Sequence, residues 1–185
     1  MALLTTGPPA ARVVLAAAMI AAAAAFALPA SGVAQTAGEA CPLHLFVVAR
    51  SKNANIVAYD ANPAPGGGLV ATEPVVAYWL LDGDEKRREE LTGIERERAY
   101  GVEGKPGHAP GTYTVVFKAR RKFPLAVRVV NGCPVAVTRI QGHTAILHRL
   151  FVKSKEGLGL PKIEYVEVFG ENPDTGAPVQ EKLVP

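Results

Sequence analysis

Hydrophobic and polar residues alternate along most of the chain after residue 42, and a period of two is the pattern of a β-strand. In residues 113–119 apolar side chains occupy every second position, as expected for a strand with one face on the core and the other in solvent. Residues 43–49 and 75–81 are apolar on both faces, which predicts strands inside the sheet.

These patterns predict about nine strands in sequence order, most of them joined by hairpin turns such as Asn131-Gly132 and residues 172–176. Successive hairpins make antiparallel neighbours. The predicted fold is therefore mainly β, an antiparallel barrel or sandwich of about nine strands with one inserted α-helix. The pattern does not choose between barrel and sandwich. The predicted strands span residues 43–49, 56–60, 75–81, 111–119, 125–129, 135–140, 145–152, 163–169 and 179–184.

One segment departs from the strand pattern and predicts the inserted helix, at Asp84–Tyr100. Charged residues dominate it, and Leu91 and Ile94 form a narrow apolar stripe. Asp84 is a suitable N-cap, and Gly101 follows the last helical residue. Gly93 favours a break inside the segment, because glycine costs a helix about 1 kcal/mol relative to alanine.

The first 34 residues have the three-part layout of a secretory signal peptide. One basic residue precedes the uncharged apolar run 13–30, and the small residues Gly32 and Ala34 lead to a cleavage site before Gln35. The alternative is an uncleaved anchor helix, since the run is about long enough to span a bilayer. We expect cleavage, export to the bacterial periplasm or the cell exterior, and a single β-rich domain at residues 35–185. No later run is long and apolar enough to cross a membrane.

Both cysteines, Cys41 and Cys133, lie in the part expected to be exported. Export leads to an oxidising compartment, which predicts a Cys41–Cys133 disulfide. In the chain-entropy interpretation a bond closing a loop of about 90 residues stabilises the fold by about 4 kcal/mol. The alternative is two unpaired buried thiols.

Five polar side chains fall between the predicted strands 43–49 and 56–60. One is a serine, two are cationic and two are asparagines, and the cations with the asparagines suit a carboxylate, a phosphate or sugar hydroxyls. The alternative is a tight turn, which favours asparagine for backbone reasons alone. The charged helix has three residues that could reach the same place, although a solvated helix face is the simpler interpretation. The predicted ligand-binding residues are Arg50, Lys52, Asn53, Asn55, Glu95, Arg96 and Tyr100.

Other kinds of site find little support in the residue pattern. The 20 basic residues nearly balance the 17 acidic ones, so charge gives no reason to expect nucleic-acid binding. The four histidines show no His-x-His pair, and there is no Cys-x-x-Cys or phosphate-binding loop, so we predict no metal and no cofactor. Ser51 and Ser154 are the only serines after the leader, and neither lies in Gly-x-Ser-x-Gly, so no catalytic residue is assigned. The basic run 120–122 is most simply a solvated turn.

Several short runs resemble a bacterial family of exported proteins known as a domain of unknown function. The similarity covers residues 46–184, which implies one exported domain and no particular activity. The runs are Val48–Val57, Val76–Trp79, Ile94–Arg96 with Ala99–Gly101, Leu160–Val166, and Phe169-Gly170 with Thr175-Gly176.

A fainter similarity is to the cell-wall L,D-transpeptidases, through Ala109–Tyr113 and Asn131–Cys133. Asn131 stands where the motif of those enzymes has its histidine, and Pro134 and Val135 follow in place of Ile-Arg. A nucleophilic cysteine needs a base to form its thiolate, and none is placed nearby.

The sequence therefore favours an exported, non-enzymatic binding module for a small anionic or hydroxyl-rich ligand. If the sheet closes into a barrel, its mouth near residues 50–55 is the expected ligand entrance. One alternative is an envelope structural or interaction protein, whose partner would be an envelope component. The other is a cell-wall-acting enzyme of the L,D-transpeptidase type.

Overall fold

The fold consists of eleven strands and one short helix within the residues described by the computed structural model, which are 41–51, 53–81, 87–130, 132–155 and 162–185. The predicted signal peptide lies outside these ranges. In chain order the elements are β1 (His44–Arg50), β2 (Asn53–Ala61), β3 (Val75–Leu81), β4 (Arg87–Glu90), α1 (Gly93–Arg98), β5 (Val102–Pro106), β6 (Thr112–Phe117), β7 (Arg120–Val130), β8 (Cys133–Ile140), β9 (His143–Lys155), β10 (Lys162–Glu171) and β11 (Pro178–Leu183).

All eleven strands belong to one sheet, whose main order is β4-β3-β2-β1-β9-β8-β7-β6-β5. Each neighbouring pair is antiparallel except β1 and β9, which run parallel. β10 and β11 branch from this order, with β10 antiparallel to β9 and β11 antiparallel to β10. The prediction of a mainly β fold is confirmed.

The long strand β9 is the centre of the sheet because it pairs with three other strands. Its first residues, 143–146, pair with β8, and residues 149–152 pair with β1. β10 pairs with β9 from residue 146 to residue 155. Since β1 and β10 both pair with residues 149–152, they lie on opposite edges of β9.

The sheet curls so that its two halves enclose one core. Phe46 of β1 stacks on Tyr59 of β2 at 4.4 Å, and Phe117 of β6 meets the edges of these rings at 6.1 and 5.6 Å. Gly104 of β5 lies so close to Pro74 that an added Cβ would be 2.3 Å from the proline Cγ. Between the described residues no strand pairing joins β4 to β5, so the sheet stays open and the fold is sandwich-like.

Turn chemistry explains where the chain reverses between β8 and β9. Gln141 and Gly142 both have positive φ, 52° and 78°. Two central residues with positive φ match the twist of a two-residue hairpin.

The predicted disulfide is confirmed. Cys41 and Cys133 are bonded with their Cα atoms 5.2 Å apart and a sequence separation of 92 residues. The bond ties the segment before β1 to the start of β8. It therefore joins two parts of the sheet that are far apart in sequence.

The predicted long helix is wrong in its extent. Helix α1 has six residues, and part of the predicted helix forms β4, which pairs with β3. Thr92 is the N-cap, with Glu95 completing a capping box, so Gly93 is the first helical residue. Asp84, the predicted cap, lies outside the described residues. Pairing with the aromatic strand β3 outweighed the helical pattern of the charged residues.

Three further details differ from the prediction. β4 and β5 are additional strands, and the β1–β9 pair is parallel instead of antiparallel. The turn before β7 lies at Lys118-Ala119, while Arg120–Lys122 belongs to the strand. In the described ranges no helix has the length and apolar character that a membrane crossing requires.

Candidate functional site

A cavity of about 340 Å³ that is open to solvent on one side lies beside the end of β1. Strand register explains its wall, because residues paired across neighbouring strands face the same side. Arg50 pairs with Val152, Val152 with Val166, and Val166 with Leu183. This row runs across β1, β9, β10 and β11, and all four side chains line the cavity. The valines are short, which leaves the space open.

Arg50 is held at the cavity by aromatic rings. Its guanidinium carbon lies 5.7 Å from the centroid of Tyr100 and 6.0 Å from that of Trp79. The two rings meet edge to face at 5.0 Å. Contacts at about 6 Å are within the range of cation–π attraction. The half-buried cation therefore has a fixed place at the cavity wall.

Glu95 connects this cation to helix α1. Its carboxylate accepts hydrogen bonds from the Trp79 indole Nε1 at 3.2 Å and from the Thr92 backbone N–H and hydroxyl at 2.9 and 3.0 Å. Burial alone would raise the pKa of Glu95, but these hydrogen bonds and the Arg50 charge lower it below its ordinary value. Glu95 is therefore ionised at neutral pH and balances part of the charge of Arg50.

The tyrosines beside Arg50 are neutral, structural groups. Burial raises the pKa of Tyr100, and the Arg50 charge only partly opposes this shift. Burial, together with the neighbouring Tyr100, raises the pKa of Tyr59 well above its ordinary value. The Tyr59 hydroxyl donates a 2.8 Å hydrogen bond to the Tyr100 carbonyl. This bond ties β2 to the segment after the helix.

Two more arginines, Arg98 and Arg120, line the cavity from its solvent side. Both are exposed, and neither has an ion-pair partner within the part of the chain that the structure describes. Arg121, the next residue in β7, differs because both its terminal nitrogens donate to Glu103 at 2.8 Å. The cavity is thus bordered by two cations that have no ion-pair partner among the described residues.

The structure brings together three of the residues predicted to bind a ligand and separates another. Arg50, Glu95 and Tyr100 form the cluster described above. Arg96 points away, donating to the Leu91 carbonyl at 3.4 Å and lying 3.7 Å from a Glu90 carboxylate oxygen.

The remaining predicted residues, Lys52, Asn53 and Asn55, are not among the described residues that line this cavity. Asn55 is half-buried in β2 and is not among the residues lining the cavity. Lys52 and the side chain of Asn53 lie outside the described part of the chain. Ligand binding by any of these residues stays a prediction.

A second cavity of about 320 Å³ lies on the other side of the helix, and charged groups of both signs line it. Within it Arg96 faces Glu90, Lys118 pairs with Glu97, and Arg88 lies 3.7 Å from the Tyr78 ring centroid. Its cations are therefore already matched by groups of the protein.

The first cavity has few groups suited to catalysis. Among the lining residues that the structure describes there is no histidine, aspartate or glutamate. Ser154 is also on the wall, and hydrogen bonds between its backbone and the Ser51 hydroxyl join the end of β1 to β9. Over the described residues no group of three or more potential metal ligands is found.

A separate polar cluster lies on the outer face of β2 and β3. Tyr78 donates to Asp60 at 2.6 Å, and His44 Nδ1 lies 3.0 Å from the other Asp60 oxygen. Burial, followed by the hydrogen bond to Asp60 and its charge, raises the pKa of Tyr78 to about 12, although Arg88 opposes this. Tyr78 therefore stays protonated near neutral pH and donates its hydroxyl hydrogen to Asp60.

Three site residues were not assigned from the sequence. Trp79 was placed in the central strand without a partner, and Arg98 and Arg120 were not connected with Arg50. The Thr92-x-x-Glu95 capping box is a local signal that could have placed the helix start and hence Glu95. No local sequence signal places Arg120 near Arg50, because 69 residues separate them and only the tertiary structure brings them to the same cavity.

Comparison with known proteins identifies a family but no activity. No curated protein and no solved structure matches the chain. The family described as Domain of unknown function (DUF4833) matches residues 46–182. This match includes β9, every lining residue of the cavity except Leu183, and all of helix α1. The chain therefore belongs to the DUF4833 family.

Proposed function

We propose that the chain is an exported, non-enzymatic binding module and that a small anionic ligand binds in the cavity beside Arg50. One observation carries this proposal. Among the described residues, the only charged ones lining the cavity are three arginines, Arg50, Arg98 and Arg120, and the walls are otherwise mainly apolar. Low-dielectric walls strengthen the field of such charges and favour an anion over a neutral molecule.

Binding is a better match to the site than catalysis. A general acid or base must lie within hydrogen-bond reach of the reacting group, and the described lining residues supply neither a carboxylate nor an imidazole. The L,D-transpeptidase alternative is weakened further because Cys133 is in a disulfide and so lacks a thiol. The same bond supports export, because disulfides persist in oxidising compartments.

Trp79 provides a direct test, since it is the only tryptophan and it contacts Arg50. Its fluorescence should report titration with benzoate, and the neutral isostere benzamide should bind at least about tenfold more weakly. Hydrogen bonds to charged groups contribute about 1.5–3 kcal/mol, which sets this factor. Equal affinity for benzoate and benzamide would refute an anion site.

Arginine variants then locate the site. Arg50→Gln should lower benzoate affinity by roughly tenfold, because it removes one of the three positive charges whose field favours an anion in the cavity. Arg96→Gln is the matched control, as it removes a charge on the helix that faces the second cavity. Benzoate affinity should change less than about twofold in this control, consistent with a screened, exposed charge. A larger loss in Arg96→Gln than in Arg50→Gln would move the site to the second cavity.

The envelope interaction alternative has one observation in its favour. Leu43, Val129 and Val130 are exposed, and Val130 pairs with Cys133 of the disulfide. Exposed apolar side chains can contact another protein. Light scattering distinguishes the roles: stable oligomers that dissociate in Val129→Ser would support the interaction role, and a monomer at all concentrations would support the binding module.

A further inference from the structure

We infer that the ligand of the Arg50 cavity is a single-chain anionic amphiphile, with its hydrocarbon chain inside and its acidic head between Arg98 and Arg120. This inference rests on the proposed function and names the class of ligand. It departs from the hydroxyl-rich ligand that the sequence also allowed. Three features of the cavity lead to it.

The first feature is the continuous apolar wall. Val48 pairs with Leu150 and adjoins the row formed by Val152, Val166 and Leu183, so aliphatic side chains from four strands face one space. Phe117 and Phe123 close it from the opposite half of the sheet. A volume of about 340 Å³ lies near the lower end of ligand pockets, at about 300–1,000 Å³. A hydrocarbon chain is the ligand part that this wall suits.

The second feature is that the wall carries few polar groups and that most of them are already engaged. The Tyr59 hydroxyl donates to the Tyr100 carbonyl, and the Ser154 backbone N–H donates to the Ser51 hydroxyl. Arg50 is held by the Trp79 and Tyr100 rings and by the charge of Glu95. A sugar or other hydroxyl-rich ligand needs several unused donors and acceptors, and its hydroxyls would lose hydrogen bonds to water without replacement.

The third feature is the position of Arg98 and Arg120. Arg98 ends helix α1, Arg120 begins β7, and both are exposed where they line the cavity. Neither has an ion-pair partner among the described residues, whereas the neighbouring Arg121 is paired with Glu103. Two arginine forks at the solvent side suit a carboxylate, which accepts paired hydrogen bonds from guanidinium groups.

A chain-length series tests the apolar part. Hexanoate, octanoate, decanoate and dodecanoate are titrated below their critical micelle concentrations, with Trp79 fluorescence and calorimetry as readouts. Each added methylene that enters the cavity should tighten binding by about fourfold. The increments should stop once the chain fills the space. Affinities that do not depend on chain length would overturn the inference.

Blocking the solvent side tests the location. Ala119 lines the cavity from an exposed turn, so Ala119→Phe should obstruct the chain without disturbing the core. Decanoate affinity should fall at least tenfold. Ala109→Phe is the control, because Ala109 is exposed in another loop and does not line the cavity. Equal decanoate binding by the two variants would place the chain elsewhere.

A charge test locates the head. The double variant Arg98→Gln, Arg120→Gln should abolish the preference of the protein for octanoate over octanol, while retaining octanol binding. Arg121→Gln, which removes an adjacent but paired charge, should keep the preference. A preference that survives in the double variant would contradict the assignment of the head group.

The results separate this inference from the proposed function. If benzoate is preferred over benzamide but chain length has no effect, the anion site stands and the amphiphile is wrong. If benzoate shows no preference, the proposed function fails, and an amphiphile inference built on it fails too. A preference for benzoate over benzamide, together with a gain of about fourfold per methylene that is lost in Ala119→Phe, supports both.

Discussion

The packed core and the Arg50 cavity lie inside the same sheet, yet they differ in how side chains from its two halves meet. In the packed core, Leu125, Val127 and Leu147 are almost fully buried, at 1%, 0% and 0% exposure. Around the cavity, Val152, Val166 and Leu183 come from the same alternating pattern but remain partly accessible. Equivalent apolar residues therefore fill one region and leave the other open.

The direction of the strands explains which region is which. β1 starts three residues after Cys41 and ends at Arg50, and β7 starts at Arg120 and ends at Val130, which pairs with Cys133. The disulfide thus closes the end of both strands opposite to the cavity. The disulfide therefore stabilises one end of the fold, and the cavity lies at the other end, where the apolar side chains do not fill the space between the two halves of the sheet.

The largest expected difference comes from truncating leucine in each region. Leu147→Ala should lower the free energy of unfolding by about 2–5 kcal/mol, because it leaves a void in the packed core. Leu183→Ala should cost about 1 kcal/mol, since that side chain already borders open space and loses only part of its burial. Urea unfolding measures both. Similar costs for the two variants would break the comparison.

Replacing a valine by the larger leucine in each region adds volume instead of removing it, and the expected change in the free energy of unfolding is smaller. Val127→Leu should destabilise by about 1–3 kcal/mol, because an extra methylene does not fit in a filled core. Val152→Leu should be neutral or stabilise by up to about 0.8 kcal/mol, because the added methylene enters the cavity. Thermal and urea unfolding check the sign, and a strong destabilisation in Val152→Leu would mean that the cavity is not an accessible space.

The smallest expected effect is the pH dependence contributed by Glu95 at the cavity. Folding lowers the pKa of Glu95 from its ordinary value of 4.5. The ionised carboxylate therefore stabilises the fold at pH values above 4.5, and this contribution is lost as the pH falls through the pKa that Glu95 has in the folded protein. Wild type should therefore be more stable than Glu95→Gln at pH 7, and the difference should shrink below about pH 4.5. Urea midpoints from pH 7 to pH 3 measure it.

A companion variant shows whether the proposed hydrogen bonds cause this behaviour. Thr92→Ala removes the hydroxyl that donates to Glu95 and should cost about 1 kcal/mol as a lost N-cap. When Thr92→Ala is already present, adding Glu95→Gln should change the pH dependence of stability less than it does in the wild type. Stability curves of wild type and Glu95→Gln that stay parallel across the acid range would contradict the assignment.

Much of the strand content was predictable because it depends on local pattern. Alternation located β3 with its predicted bounds, 75–81, and Asn172–Gly176 with its neighbours located the hairpin between β10 and β11. β4 escaped because its four residues are all charged and exposed, so no apolar alternation marks a strand. It is a strand because β3 offers it backbone partners, and this contact depends on tertiary structure.

The site was predictable only in part for the same reason. Arg50 stood out as a charge at the end of an apolar strand, and Tyr100 and Glu95 were candidates on the charged segment. Their meeting depends on helix α1 packing against β3, where Glu95 bonds Trp79. Arg96 sits one residue from Glu95, and a helical rotation of about 100° per residue sends it to the other cavity.

The sequence by itself determined the β class, the positions of most strands and the two cysteines that bond, because alternation, turn residues and cysteine count act over short distances or need no geometry. Tertiary structure alone decided the parallel pairing of β1 with β9, the open sheet and the cavity bordered by Arg50, Arg98 and Arg120. These features depend on which distant strands pair, since pairing at one register sets which side chains share a face and whether they fill the space between two halves of a sheet.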